Sequence, residues 1–271
     1  MLKQFEHVRG CNIYTKQFGS GEPIVFLHGG PGASHRVFLP HIEPLAEDYH
    51  LLLYDQKGCG RSDAPSDNEY SMKEEVETLE ALRKVWGYGQ VTLVGESWGS
   101  ILALQYASMY PTRVKKLFLT AAIGVDARGY KEFPKQLIRR MNVQDRLKFL
   151  YHERKGNSDQ VMDLIEPYYV YEGASLKRKK SMAFNQQANE QIGKDIIKHY
   201  NLRPFAHELQ SIPIRIVQGS HDLLSPEKVL KTVKNVIPKA QVIRLDECGH
   251  WSFIECPEMM NHLLREFMEI K

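Results

Sequence analysis

The sequence is poor in cysteine, and it lacks any long apolar run and any strong excess of charge of one sign. Its four cysteines (Cys11, Cys59, Cys248 and Cys256) include no CxxC pair and are too sparse for a disulfide framework. Such spacing argues against the common cysteine zinc sites and favours free thiols in a reducing compartment. We therefore expect a cytoplasmic protein.

Apolar runs are short throughout the chain. None approaches the roughly 20 residues that a membrane-spanning helix requires. Glu6, His7 and Arg9 stand in the N-terminal region, where a signal peptide would need apolar residues. The net charge is +3 with histidine neutral, which is too small to indicate binding to nucleic acid or to a membrane surface. Neither is an expected partner.

Short apolar runs recur along the chain at residues 24–27, 51–54, 91–94, 117–119 and 214–217. Such runs are typical of strands buried on both faces of a parallel sheet. Residues 241–246 suit an outer strand, and residues 5–8 and 13–18 suit an antiparallel hairpin at the sheet edge. Residues 73–86 and 100–110 have helical patterns. The alternation predicts an α/β fold with a mostly parallel eight-stranded sheet and helices on both faces.

Residues 126–203 interrupt this alternation, because they show helical patterns without a convincing buried strand. They carry 16 Lys and Arg against 10 Asp and Glu, whereas the rest of the chain carries 20 against 23. A composition shift that begins after one strand and ends before the next predicts an inserted unit. We expect a helical cap at 126–203 and a core formed by residues 1–125 and 204–271.

The strongest motif is the G-x-S-x-G sequence at residues 95–99, with Ser97 at its centre. It lies directly between the apolar run at 91–94 and the helical pattern at 100–110. Small residues two before and two after the serine let a strand and a helix approach closely around a sharp turn. That turn exposes the hydroxyl in a strained conformation, above a helix N-terminus that favours developing negative charge. The pattern indicates that Ser97 is a nucleophile.

A glycine-rich loop, His28-Gly29-Gly30-Pro31-Gly32, follows the run at 24–27. Acyl transfer needs backbone N–H donors aimed at the oxyanion of the transition state. Where the serine motif occurs, one donor is the amide after the nucleophile, here Trp98, and the second comes from a loop of this kind. We expect Gly30 to supply the second amide and His28 to have a structural role.

The order of these motifs resembles the α/β-hydrolase superfamily over almost the whole chain, and that fold is therefore expected. Within the superfamily the chain is similar to the proline iminopeptidase branch. The similarity rests on HGGPG at 28–32, DQKGCGRS at 55–62 and GESWGS at 95–100. That branch usually reads DQRGxGxS and GGSWGS, so Lys57 and Glu96 are departures from it.

The superfamily places the nucleophile, the acid and the histidine in that order along the chain. Of eleven histidines, only His250 and His262 lie late enough, and His262 falls in a helical pattern. The resemblance therefore favours His250 as the general base. Asp222, in the loop after a predicted strand, is the expected acid, and Asp126 is its main competitor. His221 is expected to be a neighbour of the site.

The resemblance implies hydrolysis of small-molecule or short-peptide substrates through an acyl-enzyme at Ser97. No HExxH or clustered Cys/His set is present, and no G-x-G-x-x-G follows a strand, so neither a metal nor another cofactor is expected. The helical segment carries Tyr168, Tyr169 and Tyr171, for which packing is the expected role and pocket lining the alternative.

The substrate stays open at this point. Proline iminopeptidases hold the free amine of the substrate with acidic residues, whereas the 126–203 segment is basic. Glu166, Glu172 and Glu190 are the candidates to face inward. A carboxylesterase without need for a free amine, a carbon–carbon bond hydrolase and a non-catalytic binding protein on the same fold are the alternatives.

Overall fold

The computed structural model describes residues 2–181 and 183–270, which contain one sheet of eight strands. The strands are β1 (Leu2–Val8), β2 (Cys11–Phe18), β3 (Glu22–Leu27), β4 (Tyr49–Tyr54), β5 (Val91–Glu96), β6 (Val114–Thr120), β7 (Ile214–Gly219) and β8 (Gln241–Leu245). Their spatial order is β1-β2-β4-β3-β5-β6-β7-β8. β2 pairs antiparallel with β1 and β4, and all other pairs are parallel. The predicted mostly parallel eight-stranded sheet with an edge hairpin is confirmed.

The α-helices of the described residues are α1 (Met72–Val85), α2 (Trp98–Met109), α3 (Ala127–Arg140), α4 (Val143–Lys155), α5 (Ser158–Ile165), α6 (Gln186–His199), α7 (Pro226–Lys234), α8 (Ser252–Glu255) and α9 (Pro257–Glu269). None of them is both long and apolar enough to cross a membrane.

The core lies on both faces of the sheet. Along β3, Val25 and Leu27 join one buried cluster, which includes α1 and α2, while Ile24 and Phe26 join another, which includes α9. Successive side chains of a strand point to opposite faces. Both faces are therefore covered, which explains why the central strands are apolar at nearly every position.

α2 has no exposed face between Trp98 and Ala107, because nearly all of these residues are buried. It packs against β5 and β3, the strands that end at the serine motif and the glycine-rich loop. A helix without a polar face is stable only in such a position. Its N-terminus is thereby held at the carboxyl end of the sheet.

The described residues of segment 126–203 contribute no strand to the sheet. The two ends of the segment lie side by side, because Asp126 and Asn201 form an isolated antiparallel bridge. The amide of Leu202 donates to the carbonyl of Val125 at 2.9 Å. The segment therefore leaves the sheet and returns to it at one place, carrying α3 to α6 between.

Candidate active site

Ser97 occupies the turn between β5 and α2 in a strained backbone conformation. Its φ of 55° and ψ of −117° are rare for a residue with a side chain. A Cβ at Gly95 would collide with the carbonyl of Gly99, and a Cβ at Gly99 would collide with the carbonyl of Leu27. Glycine is therefore required at both positions, as expected from the motif, and Ser97 itself stays half-buried.

His250 and Asp222 form a buried pair at the carboxyl ends of β8 and β7. The Nδ1 atom of His250 lies 3.0 Å from both carboxylate oxygens of Asp222. Gln218, at the end of β7, donates to Oδ2 at 2.9 Å, and the amide of Leu224 donates to Oδ1 at 3.2 Å. With Nδ1 facing the carboxylate, Nε2 is the nitrogen left to accept a proton. Gln218 was not predicted from the sequence.

Two opposing effects act on the pKa of His250. Burial lowers it, because desolvation disfavours the imidazolium, but the charge and hydrogen bond of Asp222 raise it, and Glu96 and Glu255 add to this. The net result is a pKa above the ordinary value of histidine. The environment therefore stabilises the imidazolium that forms when this ring takes a proton.

Aromatic side chains of the helical segment cover the base. The rings of Phe133 and Tyr169 lie 4.8 Å and 5.4 Å from the ring of His250. Of the other tyrosines, Tyr168 donates to Asp145, and Tyr171 packs against the ring of His221 at a tilt of 47°. Phe133 was not predicted, because nothing in its local sequence signals a long-range contact.

The competing candidates for acid and base have other partners. Asp126 caps the N-terminus of α3 and pairs with Arg128 and Arg203, which hold its pKa below the usual range despite partial burial. His262 lies in α9, as expected, and His221 is exposed. Only Asp222 of the two aspartates contacts His250 among the described residues.

The glycine-rich loop runs beside the turn that carries Ser97, since a Cβ at Gly29 would lie 3.3 Å from the Cβ of Ser97. Gly30 has a φ of 110°, in the region that favours glycine. Within residues 2–181 and 183–270, neither the Gly30 amide nor the Trp98 amide donates a hydrogen bond outside regular helix and strand pairing. Trp98 is the first residue of α2, so its amide has no partner within the helix. Both amides are thus available as donors.

A chain of hydrogen bonds fixes this loop. The amide of Gln56 donates to Nε2 of His28 at 3.1 Å, and the indole of Trp98 donates to Oε1 of Gln56 at 2.8 Å. Complete burial lowers the pKa of His28 to about 4, so this ring is neutral. His28 therefore has the structural role that was expected, and Gln56, which contacts both His28 and Trp98, links all three sequence motifs.

Glu96 stands where proline iminopeptidases usually have glycine, and in the structure its carboxyl is buried next to Ser97 in the chain. Burial raises its pKa to about 7, His250 lowers it and Asp222 raises it. Glu96 is therefore within electrostatic range of the His250–Asp222 pair. Of the three acidic residues considered for the helical segment, Glu166 pairs with Lys179, and Glu172 and Glu190 are exposed.

Comparison with known proteins identifies the class. The sequence profile of the alpha/beta hydrolase fold family matches residues 22–257, and the chain belongs to this family.

The chain is also similar to proline iminopeptidases. It is 26% identical over 286 residues to the proline iminopeptidase of Saccharolobus solfataricus, across 98% of this chain and 91% of that protein. The structure of a proline iminopeptidase from Mycobacterium smegmatis is similar with a TM-score of 0.75 and 18% identity, across 98% and 97% of the chains. An esterase from Exiguobacterium antarcticum is similar with a TM-score of 0.80 and 20% identity, across both chains in full (100%). The prediction that this chain is an α/β-hydrolase similar to proline iminopeptidases is confirmed.

Proposed function

We propose that this protein is a serine hydrolase with Ser97 as nucleophile, His250 as general base and Asp222 as the acid that orients the base. The observation that supports this most strongly is the buried His250–Asp222 pair beside the strained turn at Ser97. A base held in one tautomer beside a serine at a strained turn is the arrangement that acyl transfer needs.

The proposed reaction has two steps. Nε2 of His250 takes the proton of Ser97 as the hydroxyl oxygen attacks the substrate carbonyl, and the amides of Trp98 and Gly30 stabilise the oxyanion. His250 then protonates the leaving amine or alcohol, which departs from the acyl-enzyme. Water, deprotonated by His250, cleaves the ester to Ser97 and restores the hydroxyl.

We further propose that segment 126–203 is a cap over the site. Phe133 and Tyr169 support this role, because both belong to the segment and both pack on the base. A cap that excludes water strengthens the electrostatic interactions within a site. The four unpaired cysteines are consistent with the cytoplasm as its compartment.

For the substrate we propose a short peptide or amide with a free N-terminal amine, as for a proline iminopeptidase. The support is the similarity to proteins of that name over nearly the whole chain. A carboxylesterase is the second candidate, because the positive net charge of segment 126–203 disfavours a cationic substrate.

A substrate panel on the purified protein tests the proposal. It contains aminoacyl 4-nitroanilides, including the prolyl compound, with the amine free or acetylated, and short-chain 4-nitrophenyl esters. We expect hydrolysis of the free-amine compounds and a loss of at least about 10³-fold in kcat for Ser97→Ala. Ser108→Ala, which removes a remote hydroxyl on the same helix, is the control and should keep full activity. A Ser97→Ala variant within tenfold of the wild type would refute the mechanism, and hydrolysis of esters alone would favour the esterase.

A further inference from the structure

The acid and the base of the proposed site lie on two different loops. Asp222 lies in the loop after β7, and His250 lies in the loop after β8. Neither residue belongs to a helix or a strand, so contacts with other parts of the chain hold it in place. The helical segment 126–203 makes such contacts with both loops.

One short stretch of the helical segment, residues 168–169, holds the loop of the base. The carbonyl of Tyr169 accepts a hydrogen bond from the backbone amide of His250 at 2.5 Å. A Cβ at Gly249 would lie 2.3 Å from the same carbonyl oxygen. Gly249 does not have a positive φ, so the close approach of this stretch, and not its own backbone conformation, requires glycine there.

Arg140, the last residue of α3, joins the same stretch to the loop of the acid. Its Nη1 atom donates to the carbonyls of Tyr168, at 3.3 Å, and His221. Its Nη2 atom donates to the carbonyl of Asp222 at 2.7 Å. Among the residues that the structure describes, no other side chain or loop amide donates to the carbonyls of His221 and Asp222. The backbone of the acid is therefore held from the helical segment by one side chain.

The chemistry of arginine suits this arrangement. A guanidinium presents several donors in a fixed planar fork, so one side chain can bind three carbonyls at once. Hydrogen bonds from a charged donor are also stronger than those between neutral groups. Partial burial lowers the pKa of Arg140 and the charge of Asp222 raises it, so the guanidinium is within electrostatic range of the carboxylate.

We propose that Arg140 is a positioning residue, which ties the loop of Asp222 to the stretch that also holds His250 and thereby sets the position of the acid relative to the base. This inference rests on the proposed serine hydrolase function. It assigns to the helical segment a part in the chemical step, in addition to its proposed role as a cap.

The other hydrogen bonds of the acid loop do not join it to the helical segment. Gln218 and Leu224 bind the carboxylate of Asp222, but they belong to β7 and to the loop that follows it. The two loops meet directly where the amide of His221 donates to the carbonyl of Cys248 at 2.8 Å. That bond fixes residues that precede the acid and the base, whereas the guanidinium binds the carbonyl of the acid itself.

The test uses Arg140→Met, which keeps most of the side-chain length and removes the donors and the charge. We expect kcat for the best substrate of the panel to fall roughly 10- to 100-fold, with KM within about twofold of the wild type, because a misplaced acid–base pair slows the chemical step. A second readout needs no substrate. It is the low-field proton resonance of Nδ1–H of His250, which reports the hydrogen bond to Asp222 and should disappear in Asp222→Asn. In Arg140→Met it should shift or broaden.

Arg139→Met is the matched control, because this neighbouring arginine pairs with Glu132 and its side chain is 66% exposed. It should leave kcat and the resonance unchanged. In Arg140→Met, a kcat within about twofold of the wild type together with an unchanged resonance would overturn the inference. A rise in KM alone would overturn it too, because Arg140 would then bind substrate.

If Arg140→Met does not fold, Arg140→Gln replaces it, since glutamine is polar but lacks the charge and the fork. The same loss of kcat is expected, and wild-type kcat in that variant would contradict the inference. If the wild type cleaves no compound of the panel, the proposed hydrolase function fails. The resonance then still decides whether Arg140 positions the pair.

Discussion

At the scale of single residues, the environment of His250 determines how the site should respond to pH. Its pKa lies above the ordinary value of about 6.5, because Asp222 and Glu96 together outweigh the effect of burial. A base acts only when deprotonated. Activity should therefore rise with pH through a midpoint above that value.

We predict that the acid limb of the kcat/KM profile of the wild type has its midpoint above pH 6.5, and that Asp222→Asn lowers this midpoint. The same variant should lower kcat by about 10³- to 10⁴-fold, since the ring loses its orienting carboxylate. Rates with a neutral substrate, measured from pH 5 to 9, provide the check.

Asp126→Asn is the control for this prediction, because Asp126 pairs with Arg128 and Arg203 instead of with the base. Its profile should match the wild type. A shift of the midpoint in Asp126→Asn, with none in Asp222→Asn, would reverse the assignment of the acid.

Residue by residue, the sequence was most informative where local sterics dominate. Gly95, Gly99 and the strained Ser97 follow from the requirements of one tight turn. Glu96 and Gln218 could not be interpreted in this way. The environment of Glu96 depends on His250 and Asp222, more than one hundred positions away. Gln218 acts on Asp222, which lies in the loop that follows its strand. The catalytic roles of Ser97, His250 and Asp222 stay predictions.

At the scale of elements, α1 contains a buried acidic residue that should affect stability. Glu75 faces the core, where burial raises its pKa to about 8, and the charge of Lys57 opposes this only in part. Because the folded-state pKa exceeds the unfolded value, folding favours the protonated form. Its contribution to stability is fully present below about pH 4.5 and is lost as the pH rises towards 8.

We predict that Glu75→Gln reduces the loss of stability between pH 5 and pH 8. The pKa difference corresponds to about 5 kcal/mol when complete, so several kcal/mol should be recovered at pH 8. Urea unfolding at a series of pH values measures this.

Glu74→Gln provides the comparison from the neighbouring position. Glu74 pairs with Arg9 and Lys57, which lower its pKa. The contribution of the ionised Glu74 carboxylate to stability is therefore lost as the pH falls. The decline in the free energy of unfolding between pH 5 and pH 8 should persist in Glu74→Gln. An equally steep decline in Glu75→Gln would show that Glu75 is not its source.

At the scale of the whole molecule, Asn185 joins the helical segment to the core. Its Oδ1 accepts from the amide of Ala188 and caps α6, while its Nδ2 donates to the carbonyl of Gly58 at 2.8 Å. Its amide donates to the carbonyl of Gly32, at the end of the glycine-rich loop, at 2.9 Å. The position of the segment is thus coupled to the loop that carries the proposed oxyanion donor.

We predict that Asn185→Ala lowers the free energy of unfolding by about 1 kcal/mol through the lost cap. It should also lower kcat/KM several-fold for every substrate, because the backbone amide that donates to Gly32 is positioned less firmly once the side chain no longer binds Gly58 and caps α6. Asn185→Asp keeps the capping oxygen and loses the donor to Gly58. It should keep the helix cap but lose stability and activity, because its carboxylate would face the carbonyl oxygen of Gly58 without a donor. Equal activity in all three proteins would refute the coupling.

The sequence by itself determined the features that depend on neighbouring residues. These are the buried strands, the edge hairpin, the tight turn around Ser97 and the glycine-rich loop, all of which follow from side-chain periodicity and backbone sterics. Only the tertiary structure decided the order of the strands, the aromatic cover of Phe133 and Tyr169 over the base, and the enclosure of Glu96. Those depend on which distant segments meet, and burial and electrostatic interactions act through space regardless of separation along the chain.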